Sequence, residues 1–214
     1  PESRADRGWM TMAIRHIVIV GGGTAGWMAA AAMSKMIGAR GLQITLIESE
    51  EIGTVGVGEA TIPPFVEFQN LIGIDEAEMM SACQATFKLG IQFVNWGQVG
   101  DSYIHPFGAY GYEMGGIAFH QIWHRTQELG DKRPIQAFNL ETMAAYFGKF
   151  ARTQDYARDD LPPINYAYHL DAGRYARFLR QLAEKRGVTR REGRVQDVQL
   201  DGESGNVASV ELAD

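Results

Sequence analysis

The chain has 214 residues, 45% of them hydrophobic and 21% charged, with a formal net charge of −6. That balance buries a sizeable core, which excludes global disorder, and no apolar run approaches the ~20 residues that span a bilayer. The acidic charge lacks the basic footprint of a nucleic-acid binder, and five histidines are scattered without zinc-ligand spacing, so neither nucleic acid nor a metal is expected. One cysteine, Cys83, excludes an internal disulfide and fits a reducing, cytoplasmic setting.

Residues 1–13 read as a polar tail with no hydrophobic signal region, and Met10 or Met12 marks the expected natural start. His16–Val20 is a short β-branched run, as in a buried parallel strand, and the glycine-rich run 21–26 follows it at once. Trp27–Ile37, rich in Ala and Met, is a predicted helix, and Gln43–Ile47 a second strand closed by Glu48. Residues 50–64 carry Gly53, Gly56, Gly58, Pro63 and Pro64 and read as a loop. Helices are predicted over Pro64–Leu71 and from an Asp75/Glu78 capping box to about Ala85. Phe87, Leu89, Ile91 and Phe93 alternate with Lys88, Gly90 and Gln92, which predicts one strand. Residues 97–118 read as loop, and helices follow at His120–Leu129 and Phe138–Ala151. Asp171 opens a further helix with Tyr175, Phe178, Leu179 and Leu182 on one face and Gly187 past its end. Gly193–Leu200 and Val207–Leu212 form a predicted hairpin.

The pattern Gly21-x-Gly23-x-x-Gly26 gains force from its setting between a strand and a helix, with Glu48 at the end of the next strand. The first glycine makes the turn, the second admits a pyrophosphate, and the third lets helix and strand pack closely. The helix N-terminus offers amide donors, and Glu48 would accept from ribose hydroxyls. The fingerprint alone leaves NAD or FAD open. No third strand follows directly and a long glycine-rich loop does, which favours FAD. The C-terminal helix, strand and hairpin suit a flavoprotein layout in which Val195 lies near the adenine.

Three separated motifs then carry a family resemblance: Gly-Gly-Gly-Thr-Ala-Gly-Trp-Met at 21–28, Val-Gly-Val-Gly-Glu-Ala-Thr-Ile-Pro at 55–63, and Phe87-Lys88 followed by Phe93-Val-Asn-Trp96. Tyr168-His-Leu-Asp171 adds a fourth. Residues 14–214 resemble the flavin-dependent tryptophan halogenases. The resemblance implies an α/β fold with a Rossmann-like FAD-binding βαβ unit of the flavoprotein-monooxygenase type, with helical and hairpin additions. It implies an incomplete FAD-binding module over 14–214, in which 101–165 contribute a substrate-side subregion. It also implies that the chain is the N-terminal part of a longer polypeptide, with the tryptophan-rich motif and the glutamate paired with the lysine beyond Asp214.

For function, the resemblance implies that reduced FAD and O2 form a flavin hydroperoxide, which chloride or bromide attacks to give hypohalous acid. That oxidant passes through a tunnel to Lys88, which forms a haloamine or hydrogen-bonds the acid, and an indole such as tryptophan or bare indole is halogenated. A separate flavin reductase would supply reduced FAD. The implied cofactor contacts are Gly21, Gly23, Thr24, Ala25, Gly26, Glu48 and Val195, with Gly56, Gly58, Glu59 and Ala60 resembling the family's flavin-associated strap. His105 and Phe107 resemble the family's aromatic substrate platform. Pattern alone would make Lys88 a surface lysine on an edge strand, although its face, with Gly90, Gln92, Val94 and Trp96, is mixed. His169 reads as a structural turn residue before a helix. The alternatives at this level are a monooxygenase that hydroxylates an aromatic without needing Lys88, and an inactive flavin-binding fragment.

Overall fold

A computed structural model describes residues 14–38, 41–53, 57–152 and 162–213. The chain is mixed α/β and divides into two compact units, Pro1–Val57 with Ala172–Asp214, and Gly58–Asp171. Among the described residues no helix is long and apolar enough to cross a membrane.

The first unit begins with the expected βαβ: β1 (His16–Val20), α1 (Thr24–Ile37) and β2 (Gln43–Glu48), the two strands parallel from His16↔Gln43 to Val20↔Ile47. The third parallel strand does not follow β2 in sequence. It is β8 (Thr189–Glu192), which pairs Thr45↔Thr189 through Glu48↔Glu192 and gives the order β1-β2-β8. Thr-Arg-Arg-Glu lacks the apolar run of a buried parallel strand, so its sequence does not announce a strand. It lies at the sheet's edge, where Arg190 meets Glu48 of β2 and Glu50 of the following turn. α1 packs with α6 (Ala172–Lys185). α1 buries Trp27, Ala30, Ala31 and Ser34, and α6 buries Tyr175, Ala176, Leu179 and Ala183, both at helical spacing. Phe178 and Leu182, expected on that face of α6, are only half-buried; alanines hold the closest positions. β9 (Val195–Leu200) and β10 (Val207–Leu212) form the expected antiparallel hairpin.

The second unit corrects several boundaries. The loop expected over 50–64 contains β3 (Gly58–Ala60), which pairs antiparallel with β7 (Ala167–Asp171) from Gly58↔Asp171 to Ala60↔His169. α2 (Pro64–Ile72) and α3 (Glu76–Cys83) follow as expected, and the Asp75 carboxylate accepts from Glu78 N–H at 2.8 Å. The single strand expected over 87–93 is two. β4 (Thr86–Lys88) pairs with β7, giving the order β3-β7-β4, whereas β5 (Gly90–Val94) pairs with β6 (Ser102–Pro106) inside the segment expected to be loop. The partner changes at Leu89, whose carbonyl accepts from Phe107 N–H at 3.0 Å. Gly90 is needed there, because a Cβ would lie 2.6 Å from the His105 carbonyl oxygen. α4 (Phe119–Glu128) matches its expected helix. The helix expected over 138–151 is a 3-10 turn (Ile135–Phe138) and a short α5 (Leu140–Tyr146) capped by the Asn139 side chain.

Candidate functional site

The first candidate site is a cleft at the carboxyl ends of β1 and β2, where open parallel sheets take ligands. Gly21 adopts φ +113° and donates its N–H to the Ile47 carbonyl at 2.8 Å, so the loop turns tightly over the end of β2. A Cβ on Gly26 would stand 1.9 Å from the Gly21 carbonyl oxygen, and one on Gly22 would stand 1.6 Å from Glu48 Oε2. Glycine is therefore required at position 22 as well, which the three-glycine pattern does not specify. Gly23 is the N-cap of α1 and supplies no side-chain cap, and the first turn, with Thr24 and Ala25, holds no acid. Its amide donors and positive dipole end suit an anion.

Glu48 closes β2 with its side chain 15% exposed. Oε2 accepts from Trp27 Nε1 at 3.1 Å, and Oε1 accepts from Arg190 Nε, with Arg180 Nη1 at 3.5 Å. Donors on both oxygens fix the carboxylate's plane. A carboxylate offers about four lone-pair sites, three of which these donors take, so capacity remains on Oε2 for one ribose hydroxyl. The cleft measures about 430 Å³ and is lined by Gly21, Gly22, Glu48, Ile52, Arg177, Arg180 and Val195 among others. Its acceptor, its close-approach glycines and the uncapped helix end beside it fit the adenosine diphosphate half of FAD. Gly56 lies outside the described residues. Gly58, Glu59 and Ala60 fall on β3 in the second unit, where Ala60 lines the cavity described next.

The second candidate site is a cavity of about 1010 Å³ lined by residues of β4, β5, β6, β7 and α5, with Lys88 in its wall. Lys88 is 7% exposed, so the surface-lysine reading from pattern is overturned. Its Nζ donates to the Thr61 carbonyl at 2.9 Å. That carbonyl is held in place, because Thr61 N–H and Oγ1 donate to the Tyr168 carbonyl at 2.9 and 3.1 Å and Tyr168 N–H returns a bond to Oγ1. Nζ lies 5.3 Å from the Phe107 ring centroid, within cation–π range. Burial holds the Lys88 amine below its ordinary 10.5. His169 stands opposite Ala60 and Thr86 on β7 and also lines the cavity, so it is a strand residue and not the turn residue expected. Burial lowers its imidazole pKa, and the charge on Lys88 lowers it further. His105, on β6, is solvent-exposed opposite Ile91 and does not line this cavity. Lys88 thus meets the Phe107 ring and shares the cavity wall with His169, whereas neither Phe107 nor His105 is among the residues that line that cavity.

Around β4 and β7, an aromatic and ionic cluster braces the lysine strand. Phe87 stacks on Phe150 with centroids 3.7 Å apart, and Glu76 accepts from Tyr166 and Tyr168 hydroxyls at 2.7 Å each and from Arg152. Burial pushes the Glu76 carboxyl up, but these hydrogen bonds and the Arg152 charge outweigh it and hold the group below 4.5. Tyr166 is pushed up to about 12 by burial and by the Glu76 carboxylate it faces.

A family model described as tryptophan halogenase matches residues 16–214. The chain belongs to the tryptophan halogenase family. It is 36% identical to the tryptophan 7-halogenase RebH of Lentzea aerocolonigenes over 95% of this chain and 40% of that protein. Among solved structures, the flavin-dependent halogenase Xcc4156 from Xanthomonas campestris superposes with a TM-score of 0.85 at 53% identity, covering 93% of this chain and 39% of that one. BrvH, a flavin-dependent halogenase from Brevundimonas sp. BAL3, gives 0.83 at 41% identity over 94% and 39%. The chain therefore spans about two fifths of the length of the tryptophan halogenases it matches. Within this chain, the sequence marked Lys88 and the glycine loop but not Thr61 or His169. Both lie inside the quoted motifs, at Ala-Thr-Ile-Pro and Tyr-His-Leu-Asp. Only strand pairing reveals that they converge on the lysine.

Proposed function

We propose that the chain supplies the FAD cleft and the lysine of a flavin-dependent halogenase acting on an indole, such as tryptophan or indole itself. The carrying observation is Lys88, a buried amine in a cavity wall with an aromatic ring 5.3 Å from its nitrogen. The glycine loop with Gly21, Gly23, Thr24, Ala25 and Gly26 would hold the pyrophosphate, Glu48 the ribose and Val195 the adenine side. Gly58, Glu59 and Ala60, with Gly56, are the proposed strap. Bound reduced FAD would supply the activation of dioxygen through which chloride or bromide becomes hypohalous acid.

Lys88 does the rest of the work in this reading. A depressed pKa raises the neutral fraction of its amine, and the Thr61 carbonyl fixes where the nitrogen sits. The nitrogen either donates a hydrogen bond to hypohalous acid or takes its halogen as a haloamine with loss of water. An indole stacked on Phe107, with His105 as the second proposed platform residue, then gains the halogen at a ring carbon and releases that carbon's proton. The reduced cofactor is proposed to come from a separate flavin reductase.

The test is Lys88→Ala, assayed for bromide-dependent product on indoles with a reductase supplying reduced FAD. Product should fall to background while FAD affinity stays within about twofold of wild type, since Lys88 is not among the residues of the nucleotide cleft. Retained halogenation, or hydroxylation that ignores halide, would overturn the assignment.

A further inference from the structure

The segment that carries Phe107 is held by an unusual concentration of buried polar side chains. Asn139 is 1% exposed and Glu141 2% exposed, and both flank the start of α5. Asn139 spends both ends of its amide: Oδ1 accepts from Thr142 N–H at 2.7 Å, and Nδ2 donates to the Ala109 carbonyl at 2.9 Å. Asn165 likewise uses both its backbone and its side chain. Its N–H donates to Glu141 Oε1 at 3.0 Å, and its Nδ2 donates to the Phe107 carbonyl at 3.3 Å. Between these two anchor points, Gly108 lies flat on the Glu141 carboxylate, where a Cβ would stand 2.0 Å from Oε2. Gly111 N–H closes the segment onto the Phe138 carbonyl at 3.0 Å. On its other side, Phe107 N–H is bonded to the carbonyl of Leu89, the residue after Lys88.

A loop that only had to be covered would need none of this, because apolar packing avoids the desolvation of the Asn139 and Glu141 side chains. The arrangement makes sense where the position of one ring matters. We propose that Asn139, Glu141 and Asn165 form a clamp of positioning residues that holds the Phe107 ring over Lys88, and so sets which carbon of a stacked indole faces the amine. The proposal rests on reading the lysine cavity as the halogenation site. Glu141 acts as the floor of the clamp: its carboxylate excludes any side chain at position 108 and receives the backbone of Asn165. Asn165 acts as its latch, because its exposed side chain reaches the Phe107 carbonyl directly.

Asn165→Ala removes the latch and leaves the backbone bond to Glu141 intact, so the fold should survive. Two readouts separate positioning from bulk stability. In lysine-labelled protein, the Lys88 side-chain resonances carry the ring-current shift of Phe107, and in Asn165→Ala they should move toward their values in Phe107→Leu. With bare indole and bromide, KM should rise about 3- to 10-fold with a smaller change in kcat, and the ratio of monobrominated isomers should shift. Asn165→Ser, which restores a short donor, should recover part of both. Unmoved Lys88 resonances, or an isomer ratio and KM that match wild type, would overturn the clamp. A lower melting temperature with both readouts unchanged would overturn it equally. A wild-type protein that neither binds nor halogenates indole would instead overturn the reading of the cavity itself, and that failure is visible before any variant is made.

Discussion

Lys88→Met separates what the lysine does for the fold from what it does for chemistry. The two side chains are unbranched and similar in length, so the swap leaves the cavity's shape nearly unchanged. It removes one charge-assisted hydrogen bond to the Thr61 carbonyl, worth about 1.5–3 kcal/mol. It also removes the cost of holding an ammonium at 7% exposure, which burial makes unfavourable by an amount of the same order. The two effects oppose, so the net change should stay within about 2 kcal/mol, or a melting shift of no more than about 8 °C for a chain of this length. Burial places the folded-state pKa of Lys88 below 10.5, so the folded chain binds fewer protons there than the unfolded chain in the window beneath that value. Wild-type stability relative to Lys88→Met should therefore climb as pH rises toward 10.5. Calorimetry at several pH values measures the stability difference, and a bromide-dependent assay on indole measures turnover, which should fall to background. A loss beyond about 4 kcal/mol would make Lys88 a structural residue first. A stability difference that moves the other way with pH would refute its depressed pKa.

Trp27→Phe keeps a ring in the space where Trp27 is 1% exposed but removes the Nε1–H that donates to Glu48. If that bond orients the carboxylate for a ribose hydroxyl, the Kd for FAD measured by titration calorimetry should rise about 3- to 10-fold, and an unchanged Kd would refute it. Glu76→Gln leaves the Tyr166 and Tyr168 hydroxyls an amide in place of a carboxylate and removes the ion pair with Arg152. It should destabilise the second unit by about 1–3 kcal/mol at neutral pH. Because the folded-state pKa of Glu76 lies below 4.5, its contribution is present above that value and lost as pH falls through the folded pKa, so the difference between variant and wild type should shrink in acid. A difference that persists unchanged at low pH would mean the carboxylate charge is not what holds the cluster.

The local parts of this molecule are legible in short stretches of the chain. The β-branched run of β1, the glycine turn and Glu48 at the end of β2 are all set by neighbours within about 30 residues, where hydrophobic period and backbone freedom decide the conformation. The Asp75 cap of α3 and the hairpin of β9 and β10 were legible for the same reason. Tertiary structure decided everything that depends on a distant partner. β8 is too polar to declare itself as a parallel strand, and pairing with β2 some 140 residues away makes it one. The alternating run from Phe87 to Phe93 is one strand by its own periodicity. It becomes two because β7 claims Lys88 and β6 claims Gly90, a choice made by segments that lie elsewhere in the chain. The same holds for the site. The motifs named Lys88, but its burial, its bond to Thr61, the approach of Phe107 and His169, and the clamp from Asn139, Glu141 and Asn165 arise only when separated strands and loops meet, since desolvation and hydrogen bonding are properties of the packed neighbourhood and not of the residue.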